Sequence, residues 1–104
     1  MTFLPTAFNN QTPNDGGLAS ADKGIALSIG ANTVFLSNVA DSDRGTFYQA
    51  NDPNTPSFCS SSNTNGAVVV NITRNPDLPN LPQATGAGTP TNSYGFVRFR
   101  AKVK

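Results

Sequence analysis

GIALSIGANTVFL, residues 24–36, is the stretch of sequence that decides the fold. Large aliphatic side chains alternate with small ones over residues 25–29, and a period of two places side chains on opposite faces of a β-strand. Residues 30–32 carry Gly and Asn, which favour turns, and the β-branched and aromatic residues 33–36 follow. Two short strands around such a turn predict a β-hairpin.

Three further segments have strand character. Residues 41–45 form a turn rich in Asp, and the aromatic side chains of residues 46–50 suit a half-buried pleated surface. The β-branched run at residues 67–72 predicts a central strand. Residues 94–104 alternate again and predict the closing strand.

The composition favours strands and turns over helices. Charged residues make up 12% of the 104-residue chain, and Asn, Ser, Thr, Gly and Pro fill the gaps between apolar runs. Gly and Pro fit a helix interior poorly, and Asn and Ser side chains compete for its backbone hydrogen bonds. We therefore predict an all-β single domain, built as a small β-sandwich or a partly open barrel. Residues 1–23 would be an extended N-terminal arm, residues 24–104 the β-domain, and residues 51–66 and 73–93 two long loops.

The closing strand carries four of the chain's 7 basic residues on one predicted face. Its other face is apolar. Natural edge strands often carry Lys and Arg to deter pairing with other chains, and that is one interpretation of the pattern. The other is contact with an acidic partner, which would relieve the repulsion within the row. Nucleic acid is not expected, because the net charge is only +1. The basic residues are Arg98, Arg100, Lys102 and Lys104.

The arm contains three large apolar side chains without strand or helix periodicity, namely those of Phe3, Leu4 and Phe8. They can fold back onto the domain's own core or dock on a neighbouring subunit, and the sequence leaves both alternatives open. We take the arm residues, together with the four basic residues of the closing strand, as the candidate partner-binding set.

The residue types that usually carry catalysis are scarce. The chain has no His and no Glu, so the commonest general bases are missing, and Cys59 has no imidazole to activate it. We expect neither an enzyme nor a cofactor. Asp41, Asp43 and Asp52 offer the oxygen ligands that calcium takes, but a calcium loop normally needs more carboxylates at set positions. An Asp-rich turn that caps its own amides is the competing interpretation, and no metal is expected.

These patterns lead to three candidate functions. We expect a structural protein of a virion, such as a capsid decoration, cement or small tail protein, which binds the other subunits of its assembly and occurs as a homo-oligomer or in many copies. Residues 93–103 resemble the final strand of the immunoglobulin-like repeats of bacterial surface proteins, which implies a surface filament or adhesin at the cell surface as the alternative. A soluble carbohydrate- or peptide-binding module is the third. No membrane span and no secretory signal are expected from the hydropathy pattern.

Overall fold

The computed structural model of the chain describes residues 2–18, 20–59, 63–72, 83–87, 89–90 and 94–103. These residues form strands, turns and one short 3-10 turn, so the all-β prediction is confirmed. The strands make three open sheets with the orders β1-β7, β3-β2-β6 and β4-β5. Their bounds are β1 Thr2–Phe3, β2 Lys23–Ile29, β3 Asn32–Ser37, β4 Gly45–Tyr48, β5 Ala67–Val70, β6 Gly95–Phe99 and β7 Ala101–Lys102, with the 3-10 turn at Ser57–Cys59.

The predicted hairpin is present as β2 and β3. The two strands are antiparallel, and Ile29 lies opposite Asn32, so that only residues 30 and 31 connect them. Gly30 has a φ of 58°. A two-residue hairpin turn requires such left-handed backbone, which glycine adopts without steric cost.

The main hydrophobic core lies on one face of this hairpin. Its five side chains are almost fully buried, and Phe3 of the arm together with Val68 and Val70 of β5 packs against them. The apolar alternation of the sequence is therefore the inward face of the hairpin. The five residues are Ile25, Leu27, Ile29, Val34 and Leu36.

The opposite face of the hairpin is covered by the arm. Phe8 packs against Ala26 and Phe35, with 5.6 Å between the centres of the Phe8 and Phe35 rings. The backbone amide of Phe8 also donates to the carbonyl of Lys23. The Lys23 ammonium is itself buried and donates to the Asn14 side chain. These contacts fix the arm on the domain along residues 8–14.

Two predicted strands differ from the structure. Residues 67–72 were expected to form a central strand, but β5 pairs only with β4 in the described part of the chain and is half-buried. Residues 94–104 were expected to form one strand, but the ladder breaks at Arg100. The Leu4 amide donates to the Arg100 carbonyl, so the arm takes over as the pairing partner and the chain passes from one sheet into another.

The two predicted loops are described to different extents. Asn63 closes the first of them, since its side chain donates to the carbonyl of Gln49 and accepts from the amide of Gly66. Most of the second loop lies outside the described residues.

A buried ion pair joins the arm to the start of β4. Asp15 and Arg44 are at most 3% exposed, and the Arg44 Nε lies 3.3 Å from an Asp15 carboxylate oxygen. The Arg44 amide donates to the same oxygen. Because both charges are out of water, removal of one partner is expected to cost more than the intact pair contributes.

We predict that Asp15→Ala lowers the free energy of unfolding by about 3–5 kcal/mol, because the Arg44 guanidinium stays buried without its carboxylate. Urea unfolding measures the change. Asp22→Ala is the matched control, since Asp22 is exposed and accepts a surface hydrogen bond from Asn9, and its cost should stay below about 1 kcal/mol. Equal costs for the two variants would contradict the importance of this pair.

Candidate functional site

Strand β6 is the most exposed strand of the three-stranded sheet although three of its five residues are large and apolar. Phe96, Val97 and Phe99 are 63%, 43% and 48% exposed. Tyr94 precedes the strand and its ring meets that of Phe96 edge-on. Contiguous exposed apolar side chains on a soluble domain mark an interaction site more often than chance exposure does.

The two edges of the three-stranded sheet differ in whether described residues cover them. The β3 edge is covered in part by the arm, because the Phe35 amide donates to the Pro13 carbonyl and Asn14 forms a parallel bridge with Phe35. β6 pairs with β2 on one side, and no described residue pairs with its other side. Arg98 therefore lies on an edge strand of this sheet, a position that agrees with both interpretations of the basic residues.

The register of β6 on β2 separates its side chains into two sets. Val97 lies opposite Leu27, and Phe99 lies opposite Ile25, so both share the core face of the sheet. Arg98 lies opposite Ala26 on the other face. Over Val97, Arg98 and Phe99 the predicted division into an apolar ribbon and a basic ribbon is thus present, although Phe96, opposite Ser28, shares the face of Arg98. The apolar ribbon is only half covered.

Gly95 allows β6 to approach β2 closely. A Cβ atom at this position would lie 2.1 Å from the Ser28 carbonyl oxygen, which is shorter than any real contact. Glycine at the start of β6 therefore permits the close approach of the two backbones in this register.

Two clefts flank the apolar ribbon of β6. A cleft of about 100 Å³ lies beside Val97 and is lined by Leu27, Ile29 and Ile72. A larger one of about 400 Å³ lies beside Phe99 and is lined by the aromatic rings of Phe3 and Phe47 and by Val68. The smaller cleft is mainly apolar, the larger one also has Asn65 in its lining, and each lies next to one half-exposed side chain of the ribbon.

The basic ribbon lies beside the arm. The Arg100 guanidinium sits 5.5 Å from the centre of the Phe8 ring, a cation–π distance. Lys102 lies in β7, opposite Thr2. No carboxylate of the described residues pairs with Arg98, Arg100 or Lys102. Lys104, the fourth predicted member, lies outside the described residues.

The three arm residues of the predicted set have different environments. Phe8 is buried, and Phe3 is half-buried and stacks on Phe47 at 4.1 Å between ring centres. For these two rings the structure shows the first alternative, in which the arm folds onto its own domain. Leu4 stays 36% exposed. The fold thus brings the arm and the closing strand together, with Leu4 next to Arg100 and Phe3 at 6.2 Å from Phe99.

The three calcium candidates do not converge. Asp52 caps its own turn by accepting from the Asn54 amide. Asp41 and Asp43 are close together, and their carboxylates accept from nearby amides and from Ser37. Among the described residues no group of three or more His, Cys, Asp or Glu side chains is arranged to hold a metal ion. The geometry is that of an Asp-rich turn that caps its own amides.

The paired carboxyls of this turn have pKa values shifted in opposite directions. Burial is the largest influence on Asp43 and raises its pKa, with the Asp41 charge acting in the same direction and the amides of Ser37 and Gly45 opposing it. Burial also acts to raise the pKa of Asp41, but hydrogen bonds from Ser37, Asp43 and Leu18 outweigh it and leave the pKa lowered. Asp43 therefore holds its proton to higher pH than Asp41.

Two other observations bear on function. Cys59 is a free, half-exposed thiol in the 3-10 turn. In the described part of the chain, no helix has the length and hydrophobicity needed to cross a bilayer.

Sequence reasoning underestimated the apolar side of the closing strand. Val97 and Phe99 were predicted as an apolar ribbon, and alternation alone cannot distinguish a ribbon covered by the domain from one left at its edge. The signal that could have found them is the presence of three aromatic residues, Tyr94, Phe96 and Phe99, within six positions of one short strand and its start. A strand that only protects a sheet edge has no need of so much aromatic surface.

Comparison with known proteins finds no family model that matches this chain, and no curated protein or solved structure shows significant similarity to it.

We predict that the two carboxyls of the turn titrate in a fixed order. The pKa of Asp41 lies below the ordinary Asp value of 3.8, and the pKa of Asp43 lies above it. Asp41 then adds stability that is present above 3.8 and lost as the pH falls through its folded pKa. Asp43 adds stability that is present below 3.8 and lost as the pH rises through its folded pKa. NMR titration of the two side-chain carboxyl carbons measures both values, and the reverse order would contradict the hydrogen-bond assignment.

Proposed function

We propose that the protein is a non-enzymatic structural subunit of an ordered assembly, and that it binds a neighbouring protein through β6 and the adjoining arm. The observation that carries the proposal is the exposure of Phe96, Val97 and Phe99 on the edge strand of the three-stranded sheet whose outer side no described residue pairs with. Burial of these side chains against a partner would remove apolar surface from water at about 25 cal/mol per Å².

Edge protection explains the exposed apolar side chains of β6 less well than partner binding does. A protected edge keeps other chains away with charge and offers them little apolar area. β6 combines Arg98 with three large apolar side chains and, in Tyr94 just before it, a further aromatic ring. Aromatic and Arg side chains are the residues that most often carry the binding energy of protein interfaces. The composition of this edge therefore favours a partner over simple protection.

We also propose that the β4-β5 sheet and the three-stranded sheet form the two layers of a small sandwich. Support comes from Val68 and Val70 of β5, which pack against the buried face of the hairpin. In this arrangement β6 lies at the border of the layers, where the two clefts open.

The setting we favour is a virion, in which the chain would decorate or cement a capsid or form a small tail component. A bacterial surface filament is the alternative, favoured by the resemblance of residues 93–103 to an immunoglobulin-like closing strand. Either setting supplies a repeated neighbouring subunit, and neither requires catalysis.

The test is sedimentation of particles from the native source, followed by electron microscopy of the fractions that contain the chain. We expect the chain in fast-sedimenting fractions in many copies. Closed shells or tailed particles would support the virion setting, and helical fibres would support the filament setting. A chain found only as a slowly sedimenting small protein would contradict the proposal.

A matched pair of variants connects this assay to β6. Phe96→Ser removes an exposed aromatic ring from the edge, and Phe58→Ser removes one that is 79% exposed in the 3-10 turn. We predict that Phe96→Ser weakens rebinding to particles at least about tenfold, the loss expected for an interface residue worth more than about 1.4 kcal/mol. Phe58→Ser should rebind as the unmodified chain does. Equal rebinding of the two variants would contradict the assignment of β6 as the binding edge.

A further inference from the structure

We infer that the partner segment of β6 is an extended strand in which apolar and acidic residues alternate, added to the open edge of the three-stranded sheet. The inference rests on the proposed function and names the chemistry of the partner. Addition of a strand to a sheet edge gives affinity through main-chain hydrogen bonds and specificity through alternate side chains.

The edge of β6 that no described residue pairs with supplies the main-chain part of the site. β6 contains five residues, all exposed, and is therefore about 17 Å long at the usual rise per residue. In an antiparallel edge strand alternate residues turn their amide and carbonyl groups away from the sheet. Those groups are available to an added strand of similar length.

The core-side face selects apolar residues at every second position of the added strand. Val97 and Phe99 lie on this face two residues apart, which corresponds to about 7 Å along the strand. Each lies beside one of the two clefts, next to Leu27 and Ile29 in one and next to Phe3 and Val68 in the other. Side chains of an added strand lie within about 5.5 Å of their cross-strand neighbours, so two apolar residues with the same spacing would cover both.

The other face selects carboxylates at the intervening positions. Arg98 lies on this face, and Arg100 follows it beside the Phe8 ring. Neither is paired with a carboxylate of the described residues. Arg forms bidentate hydrogen bonds with carboxylates, and opposite charges placed across two strands stabilise their pairing. Phe96 precedes Arg98 on this face, so the acidic positions are those opposite Arg98 and Arg100. The two faces together therefore specify alternating apolar and acidic residues opposite residues 97–100.

A second copy of this chain fits the edge less well. Parallel pairing in register places Arg98 next to the same residue of the copy. Antiparallel pairing centred on Phe99 places Arg98 opposite Arg100, and like charges in these positions are destabilising. Pairing centred on Val97 places Arg98 opposite Phe96 and supplies no carboxylate. The charges therefore favour an acidic partner over self-association.

The test uses the full chain and three synthetic peptides. The first alternates four Val with three Asp between terminal Thr residues. The second has the same composition with its Val and Asp residues in blocks, and the third replaces each Asp of the first with Lys. Amide chemical shifts of the labelled chain give the location and the dissociation constant for each peptide.

We expect the alternating acidic peptide to bind at least tenfold more tightly than either control, with shifts concentrated at residues 94–102. Its affinity should fall as salt is raised, because the charges at this edge are exposed. The chain variant carrying both Arg98→Gln and Arg100→Gln should bind it about tenfold more weakly, the loss that one or two interface Arg residues cause. Phe58→Ser should bind as the unmodified chain does.

Several results would overturn the inference. Equal binding of the alternating and blocked peptides would show attraction by charge alone, and equal binding of the Lys peptide would show that Arg98 and Arg100 do not select the partner. Shifts at β3 would place the site on the wrong edge. Concentration-dependent shifts at β6 without peptide, together with a dimer in sedimentation equilibrium, would make a second copy the occupant.

The two proposals fail in different ways. If the chain sediments with particles but does not bind the alternating peptide, the structural role is supported and the inferred partner chemistry is contradicted. If the chain binds the peptide but does not sediment with particles, the strand-addition site is supported and the structural role is contradicted.

Discussion

Strand β2 is the element on which the rest of the structure depends, because it is paired on both edges and covered on both faces. It lies between β3 and β6, with Ile25, Leu27 and Ile29 in the core and Ala26 beneath Phe8 of the arm. A strand enclosed in this way fixes the register of both neighbours. It also makes β6 the outer strand of its sheet, which creates the candidate binding edge.

The arm connects this core to the candidate site. Phe8 covers the outer face of the hairpin and lies against Arg100, while Phe3 packs on the core and on Phe47. Residues predicted as anchors for a partner are thus largely used to hold the domain together and to position the closing strand. The surface that these contacts do not cover consists of the β6 edge, the adjoining basic residues and the exposed Leu4.

The hairpin and the all-β class could be predicted from sequence, because alternation at residues 25–29 and a Gly–Asn turn are local signals. The pairing of β1 with β7, the break at Arg100 and the edge position of β6 could not, because they depend on contacts between residues almost a whole chain apart. The Asp15–Arg44 pair was missed because its partners lie 29 residues apart and no local pattern connects them. Basic and apolar alternation in the closing strand indicated that its two faces differ, but not which of them the domain covers.

The most direct test of this account is amide hydrogen exchange of the isolated full chain, measured residue by residue along β2 and β6. An inner strand bonded on both edges should exchange slowly at every residue, so all amides of residues 25–29 should be protected. An open edge strand should alternate between slow amides that face β2 and fast amides that face solvent. Uniformly slow exchange along β6 would show that its edge is already covered, and uniformly fast exchange would show that it does not pair with β2; either result would contradict the account.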